Sequence, residues 1–210
     1  MEFGVDEAGK GPVLGSMFAA AVRAPRDALP DGIDDSKRLT ETRREALADR
    51  LREDDRITVG IAEITPDRID AGNMNDLTVD AHAEALAEVA EGGDAGLCDA
   101  GDTDADRFAS RVADRLDAEV TVAAEHRADE SDELVGAASI LAKSARERHV
   151  ATLAEHFGDV GSGYPSDPTT RTFLREYVAE TGGLPDCARQ SWSTCDDVLA
   201  AAEQSALDEF

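Results

Sequence analysis

Two adjacent carboxylates, Asp6 and Glu7, stand just ahead of a cation held between glycines, Gly9-Lys10-Gly11. Paired acids at the end of a short apolar run offer oxygen ligands to a hard cation such as Mg²⁺. The two glycines let a ligand approach backbone N–H groups closely, which suits a polyanion. Metal recruitment and phosphate recognition are thus written within a few residues. Asp99 ends the apolar run Ala95-Gly96-Leu97-Cys98 much as Asp6 ends Phe3-Gly4-Val5, and carboxylates at strand ends can converge. Its competitors Asp102, Asp104 and Asp106 fall in the following turn and first helical turn, where acids favour the helix dipole. Asp129 stands at the approach to an apolar helix, either as a fourth ligand or as an N-cap.

Four carboxylates with no histidine in an obvious base position suit two-metal phosphodiester hydrolysis better than Ser/His/Asp acyl transfer. The histidines His82, His126, His149 and His156 follow helix or strand patterns as surface or core residues. Acid pairs need weighing here, because Asp and Glu number 46 of 210 residues and the formal net charge is −25. A solvated surface is the bland reading of Asp6-Glu7. The flanking apolar runs argue against it, because they set the pair between two core strands.

The elements that must carry these groups alternate. Strands are predicted at 2–6, 13–23, 56–64, 95–99 and 119–125. Helices are predicted from about 40 to 52, at 66–71, from 77 to 90 and at 104–117, and the remainder is mostly helical. This order predicts an α/β fold with a mixed five-stranded sheet flanked by helices. Leu134-Val135-Gly136-Ala137-Ala138-Ser139-Ile140-Leu141-Ala142-Lys143 suits a helix packed closely on that sheet, with Lys143 an unexpected ammonium in an apolar run.

Only three lysines occur, Lys10, Lys37 and Lys143, so arginine makes up the rest of the 21 basic residues. Lysine depletion with excess acid points to a salt-accumulating halophile, where self-repulsion between surface acids is screened. The acidity then reports habitat rather than partner. Counterion release contributes little to phosphate affinity in molar salt, so recognition leans on metal and directed hydrogen bonds. Cys98, Cys187 and Cys195, without a CxxC spacing, argue for free thiols. No segment approaches a membrane helix, and a cytoplasmic monomer is expected.

The blocks Val5-Asp6-Glu7-Ala8-Gly9-Lys10-Gly11-Pro12-Val13-Leu14-Gly15 and Asp35-Ser36-Lys37-Arg38-Leu39-Thr40 resemble the opening of ribonuclease HII, the type 2 ribonuclease H. Ala124-Glu125-His126-Arg127-Ala128-Asp129, Ala137-Ala138-Ser139-Ile140-Leu141-Ala142-Lys143, Gly161-Ser162-Gly163-Tyr164-Pro165-Ser166-Asp167-Pro168 and Ser191-Trp192 follow in the order of its archaeal branch. The resemblance implies an RNase H-like fold with a C-terminal helical portion. It implies cleavage of RNA in RNA–DNA hybrids, and incision at ribonucleotides in duplex DNA, with Mg²⁺ or Mn²⁺. By resemblance Asp6, Glu7, Asp99 and Asp129 are the catalytic metal ligands. Gly9, Lys10 and Gly11 correspond to the junction-reading motif, with Lys10 where arginine is common and the bidentate fork therefore lost. Tyr164 corresponds to the tyrosine that senses the 2′-OH. Ser36, Lys37 and Lys143 join it as substrate-binding residues.

The resemblance covers about residues 2–195; residues 1–195 are expected to form the catalytic domain with its C-terminal helices, and 196–210 a tail. There Gln204, Leu207 and Phe210 resemble the clamp-binding box of replication proteins. Two rival readings remain. Gly4 to Lys10 fits part of a nucleotide-binding P-loop, although Gly11 stands where Ser or Thr would hold Mg²⁺. A catalytically silent, clamp-tethered hybrid binder is the other.

Overall fold

A computed structural model describes residues 1–33 and 39–208, with side chains through Gln204. Five strands, β1 (Glu2–Ala8), β2 (Met17–Ala24), β3 (Thr58–Ile64), β4 (Ala95–Asp99) and β5 (Thr121–Glu125), alternate with helices. These are α1 (Glu41–Glu53), α2 (Pro66–Ala71), α3 (Met74–Ala87), α4 (Ala105–Ala113), α5 (Glu133–Phe157), α6 (Pro168–Thr181) and α7 (Ser193–Asp208). The sheet order is β3-β2-β1-β4-β5. β1 pairs antiparallel with β2 and parallel with β4, which in turn pairs parallel with β5. The sheet is therefore mixed, as the element order predicted.

The protein forms two compact units. The first comprises Met1–Ala8, Met17–Glu63 and Asn73–Arg146, and the second Gly9–Ser16, Ile64–Gly72 and Glu147–Phe210. In the first, Ala20 and Val22 of β2 pack with Leu47 and Leu51 of α1 and with Leu134, Ile140 and Leu141 of α5. Burying such side chains is worth about 1.5–3 kcal/mol each before the entropy of ordering them. In the second, Val13 and Leu14 pack with Val160, Phe173, Leu174, Val178, Cys187, Cys195 and Val198. All three cysteines are free and buried.

One sequence expectation fails in a revealing place. Residues 13–16 are not strand; β2 begins only at Met17. Val13 and Leu14 are apolar because they enter the second unit's core, and they pair with the backbone of Gly163 and Ala188 rather than extending β2. Gly15 makes a turn at φ +78°.

Close approach of α5 to β1 depends on Gly4. A Cβ there would lie 2.3 Å from the carbonyl carbon of Leu134 and the amide nitrogen of Val135, and backbone atoms have no rotamer by which to swing aside. Gly4→Ala is expected to destabilise the fold by about 3 kcal/mol, at the upper end of overpacking costs. Urea denaturation in molar KCl would show it as a lower midpoint at unchanged slope.

Candidate active site

Alternation along β1 sends Asp6 and Glu7 to opposite faces of the sheet. Gly4 and Asp6 share the face covered by α5, and the Ser139 hydroxyl of that helix favours the ionised form of the Asp6 carboxyl. Asp6 is 5% exposed, and its Oδ1 accepts the Glu7 N–H at 2.7 Å. Glu7 faces α3, where its Oε2 meets His82 Nε2 at 2.7 Å.

Register brings in the third acid. Parallel pairing sets Val5 beside Cys98, so Asp6 and Asp99 are the next residues of neighbouring strands. Asp99 Oδ1 accepts the Ala128 N–H at 3.0 Å, tying the end of β4 to the turn Ala128–Glu130 that carries buried Asp129. Arg127, the residue before that turn, is the one non-glycine residue with positive φ, at 58°, among the described residues. Such a backbone costs about 1 kcal/mol or more and persists only where surroundings impose it.

Asp129 is not the N-cap of α5. Asp132 does that work, accepting the Leu134 and Val135 N–H groups at 2.9 and 3.1 Å, which leaves Asp129 to other uses. Asp104 caps α4 through the Arg107 N–H, and Asp102 pairs with the Arg107 guanidinium. Two rivals of Asp99 thus have structural partners.

Burial, then the charges of Glu7 and Asp99, push the Asp6 carboxyl up to about 7, against the pull of Ser139 and His82. Asp99 is raised by burial and by the charges of Glu7 and Asp129. The Cys98 thiol between them is raised by burial and by Glu7, Asp6 and Asp99. Among the described residues, no three carboxylate, imidazole or thiol groups close to coordination distance. The donor set itself, hard oxygen ligands whose charges oppose each other, fits a divalent cation of the Mg²⁺ or Mn²⁺ type.

Sequence reasoning missed His82 and Ser139. His82 is fully buried, with its ring edge-on to Phe108 at 5.0 Å between centroids. Thr78 and His82, polar at i and i+4 on the buried face of α3, were the available signal. Lys143 does not stand alone: its Nζ donates to Ser139 Oγ at 2.7 Å.

In the second unit, Gly11 is exposed beside the Tyr164 ring, whose Cε1 lies 3.4 Å from where a Gly11 Cβ would be. Tyr164 itself is 40% exposed. Gly9 has φ +90°, a conformation open to glycine. The stretch Gly4 to Ala8 is strand, so these residues do not form the phosphate-cradling loop of a nucleotide-binding protein. Ser36, Lys37 and Phe210 lie outside the described residues. Gln204 is exposed on α7, and Leu207 belongs to the same helix with its side chain outside the described set.

A family model described as Ribonuclease HII matches residues 3–195. A Ribonuclease HII of Natronomonas pharaonis is 68% identical over 99% of this chain and 98% of its own length. The ribonuclease H2 of Pyrococcus horikoshii superposes with a TM-score of 0.88 at 36% identity, covering 97% of this chain and 99% of that one. The RNase HII of Archaeoglobus fulgidus, solved as a PCNA:RNase HII complex, gives 0.83 at 37% identity over 100% of both proteins. Agreement of sequence and fold along nearly the whole length shows that the chain belongs to the ribonuclease HII family and is a ribonuclease H.

Proposed function

We propose that the protein hydrolyses the RNA strand of RNA–DNA hybrids and incises duplex DNA at embedded ribonucleotides, removing such ribonucleotides and RNA primers. The observation that carries this is the set Asp6, Glu7, Asp99 and Asp129, drawn from two strands and a turn, with the charges of Glu7 and Asp99 acting on Asp6 and those of Glu7 and Asp129 on Asp99. These four residues would hold the metal. Two Mg²⁺ or Mn²⁺ ions, when bound there, supply Lewis acidity to the attacking water and to the leaving oxygen. Water adds to phosphorus on the 5′ side of the ribonucleotide, and the bond to the 3′ oxygen breaks. That oxygen takes up a proton, giving 3′-hydroxyl and 5′-phosphate ends.

The protein's own groups orient and select. Ser139 and His82 fix the carboxylates of Asp6 and Glu7. Gly9, Lys10 and Gly11 approach the substrate backbone, and Tyr164 packs on the ribose whose 2′-OH distinguishes RNA from DNA; its exposure beside Gly11 supports that role. Ser36, Lys37 and Lys143 complete the substrate contacts. The test is incubation in molar KCl with Mg²⁺ or Mn²⁺ and a DNA duplex carrying one ribonucleotide. Nicking 5′ to that residue is expected; intact substrate at every metal concentration sinks the proposal.

Residues 1–195 carry this activity in a cytoplasmic monomer; within 196–210, where Val198 still packs in the second unit's core, the end of the chain is the partner-binding segment. The Archaeoglobus relative was solved with PCNA, which supports Gln204, Leu207 and Phe210 as a sliding-clamp anchor. Deleting 204–210 is expected to abolish clamp binding in a pull-down while sparing cleavage of short duplexes. Unchanged clamp binding after the deletion refutes the tail's role.

A further inference from the structure

A fully buried arginine stands behind the loop that begins at Gly9. Arg189 is 0% exposed. Its Nε donates to the Gly15 carbonyl at 2.9 Å, its Nη1 to that of Lys10 at 3.0 Å and its Nη2 to that of Gly9 at 2.5 Å. Its own backbone N–H donates to the Val13 carbonyl at 2.8 Å. The guanidinium lies 5.2 Å from the Trp192 ring centroid. Asp70 of α2 anchors the residues that follow, accepting the Gln190 N–H at 2.8 Å, the Ser191 N–H at 2.9 Å and the Ser191 hydroxyl at 2.6 Å.

In a trans peptide the C=O and the next residue's N–H point in opposite directions. Drawing the Gly9 and Lys10 carbonyls onto Arg189 therefore turns the N–H edges of Lys10 and Gly11 away from it. The third peptide obeys the same rule: with the Gly15 carbonyl on Arg189, the Ser16 N–H points the other way and reaches His149 Nε2 at 3.2 Å. Gly11 is exposed, and a Cβ on it would lie beside the Tyr164 ring.

We infer that Arg189 is a positioning residue for substrate recognition, its guanidinium orienting the two peptide units that flank Lys10 so that their N–H edges face the phosphate backbone of the ribonucleotide-bearing strand. This rests on the reading of Gly9 to Gly11 as the substrate-approaching loop. A positive charge beneath the carbonyl ends also aligns these dipoles with their positive ends outward, as in an anion-binding nest. Molar salt screens surface cations but reaches a buried charge much less. Recognition through polarised peptides thus suits a protein that has nearly abandoned surface lysine.

The experiment is steady-state cleavage of a short duplex carrying one ribonucleotide, in molar KCl with Mn²⁺. Arg189→Lys keeps the charge and loses the three-way fork. Its KM is expected to rise about tenfold or more with kcat within about threefold, because misdirected contacts weaken binding before chemistry. Gly11→Ala, whose methyl meets Tyr164 at ordinary contact distance, tests the underlying reading separately. If Gly11→Ala raises KM and Arg189→Lys does not, the inference about Arg189 is overturned while the loop's role stands. If Gly11→Ala leaves KM unchanged, the reading of the loop itself fails. Val178→Ala in α6 removes core volume from the same unit, and a KM shift equal to that of Arg189→Lys would reduce Arg189 to a merely structural role. Should Arg189→Lys not fold, Asp70→Asn loosens the same anchor, and an unchanged KM there overturns the inference.

Discussion

Asp6→Asn is expected to lower cleavage by about 10³-fold or more while making the metal-free protein more stable at neutral pH. A loss of that size corresponds to about 4 kcal/mol of transition-state stabilisation, within what a divalent ion contributes through a direct ligand. The gain in stability has its own source. Burial and the Glu7 charge raise the Asp6 carboxyl from its ordinary 3.8 to about 7. Its proton is therefore held more tightly by the folded protein than by the unfolded one. The favourable contribution is complete below about pH 4 and is lost as the pH rises through about 7. At pH 8 the wild type thus carries an ionised, buried, repelled carboxylate at a cost of about 2–4 kcal/mol. Asparagine removes that cost and keeps the shape. Denaturation in EDTA should show the variant more stable at pH 8 and the difference vanishing near pH 4. Added Mn²⁺ should raise the unfolding temperature of the wild type and not of the variant. A variant that keeps its activity, or one less stable at pH 8, refutes the account. The trade of stability for function that this describes is expected at sites where like charges are crowded.

How far such a site can be seen beforehand depends on sequence distance. Asp6, Glu7 and Asp99 were visible because each ends an apolar run, and a strand end is a local feature. That Asp6 and Asp99 are neighbours follows from a parallel register that no local pattern records, though the alternating elements implied it. Val13 and Leu14 misled because apolar character reports burial and not conformation; their core belongs to the second unit. Asp129 was ambiguous until Asp132 proved to be the cap of α5, a distinction of three residues that cap propensities cannot make. Arg189 and Asp70 were invisible as partners, since the groups they hold lie more than a hundred residues away and the contacts are to backbone, which carries no sequence identity.

His82 belongs with these long-range partners, and its removal has the second-largest expected effect. The imidazole is fully buried, and among the described residues its Nδ1 has no hydrogen-bond partner; an ionised carboxylate only accepts, so the ring donates through Nε2 to Glu7 Oε2. One donor at a fixed position selects one carboxylate rotamer. The other oxygen, Glu7 Oε1, lies on the side of Gly101, where a Cβ would come within 3.4 Å of it. A carboxylate held in this way needs little reordering when it takes a cation, which is what outer hydrogen bonds contribute at metal sites. His82→Phe keeps an aromatic ring against Phe108 and deletes the donor. Cleavage is expected to fall about 10–100-fold, with the Mn²⁺ concentration for half activity rising in parallel. His82→Gln restores an N–H donor and should recover most of the loss, whereas a purely packing role would favour the phenylalanine. Equal activities for the two variants would show that Glu7 is oriented by other neighbours and that His82 serves only the core. The opposite ranking, phenylalanine above glutamine, would have the same meaning with a larger packing term. Only glutamine above phenylalanine requires the hydrogen bond, because only that order tracks the donor rather than the ring.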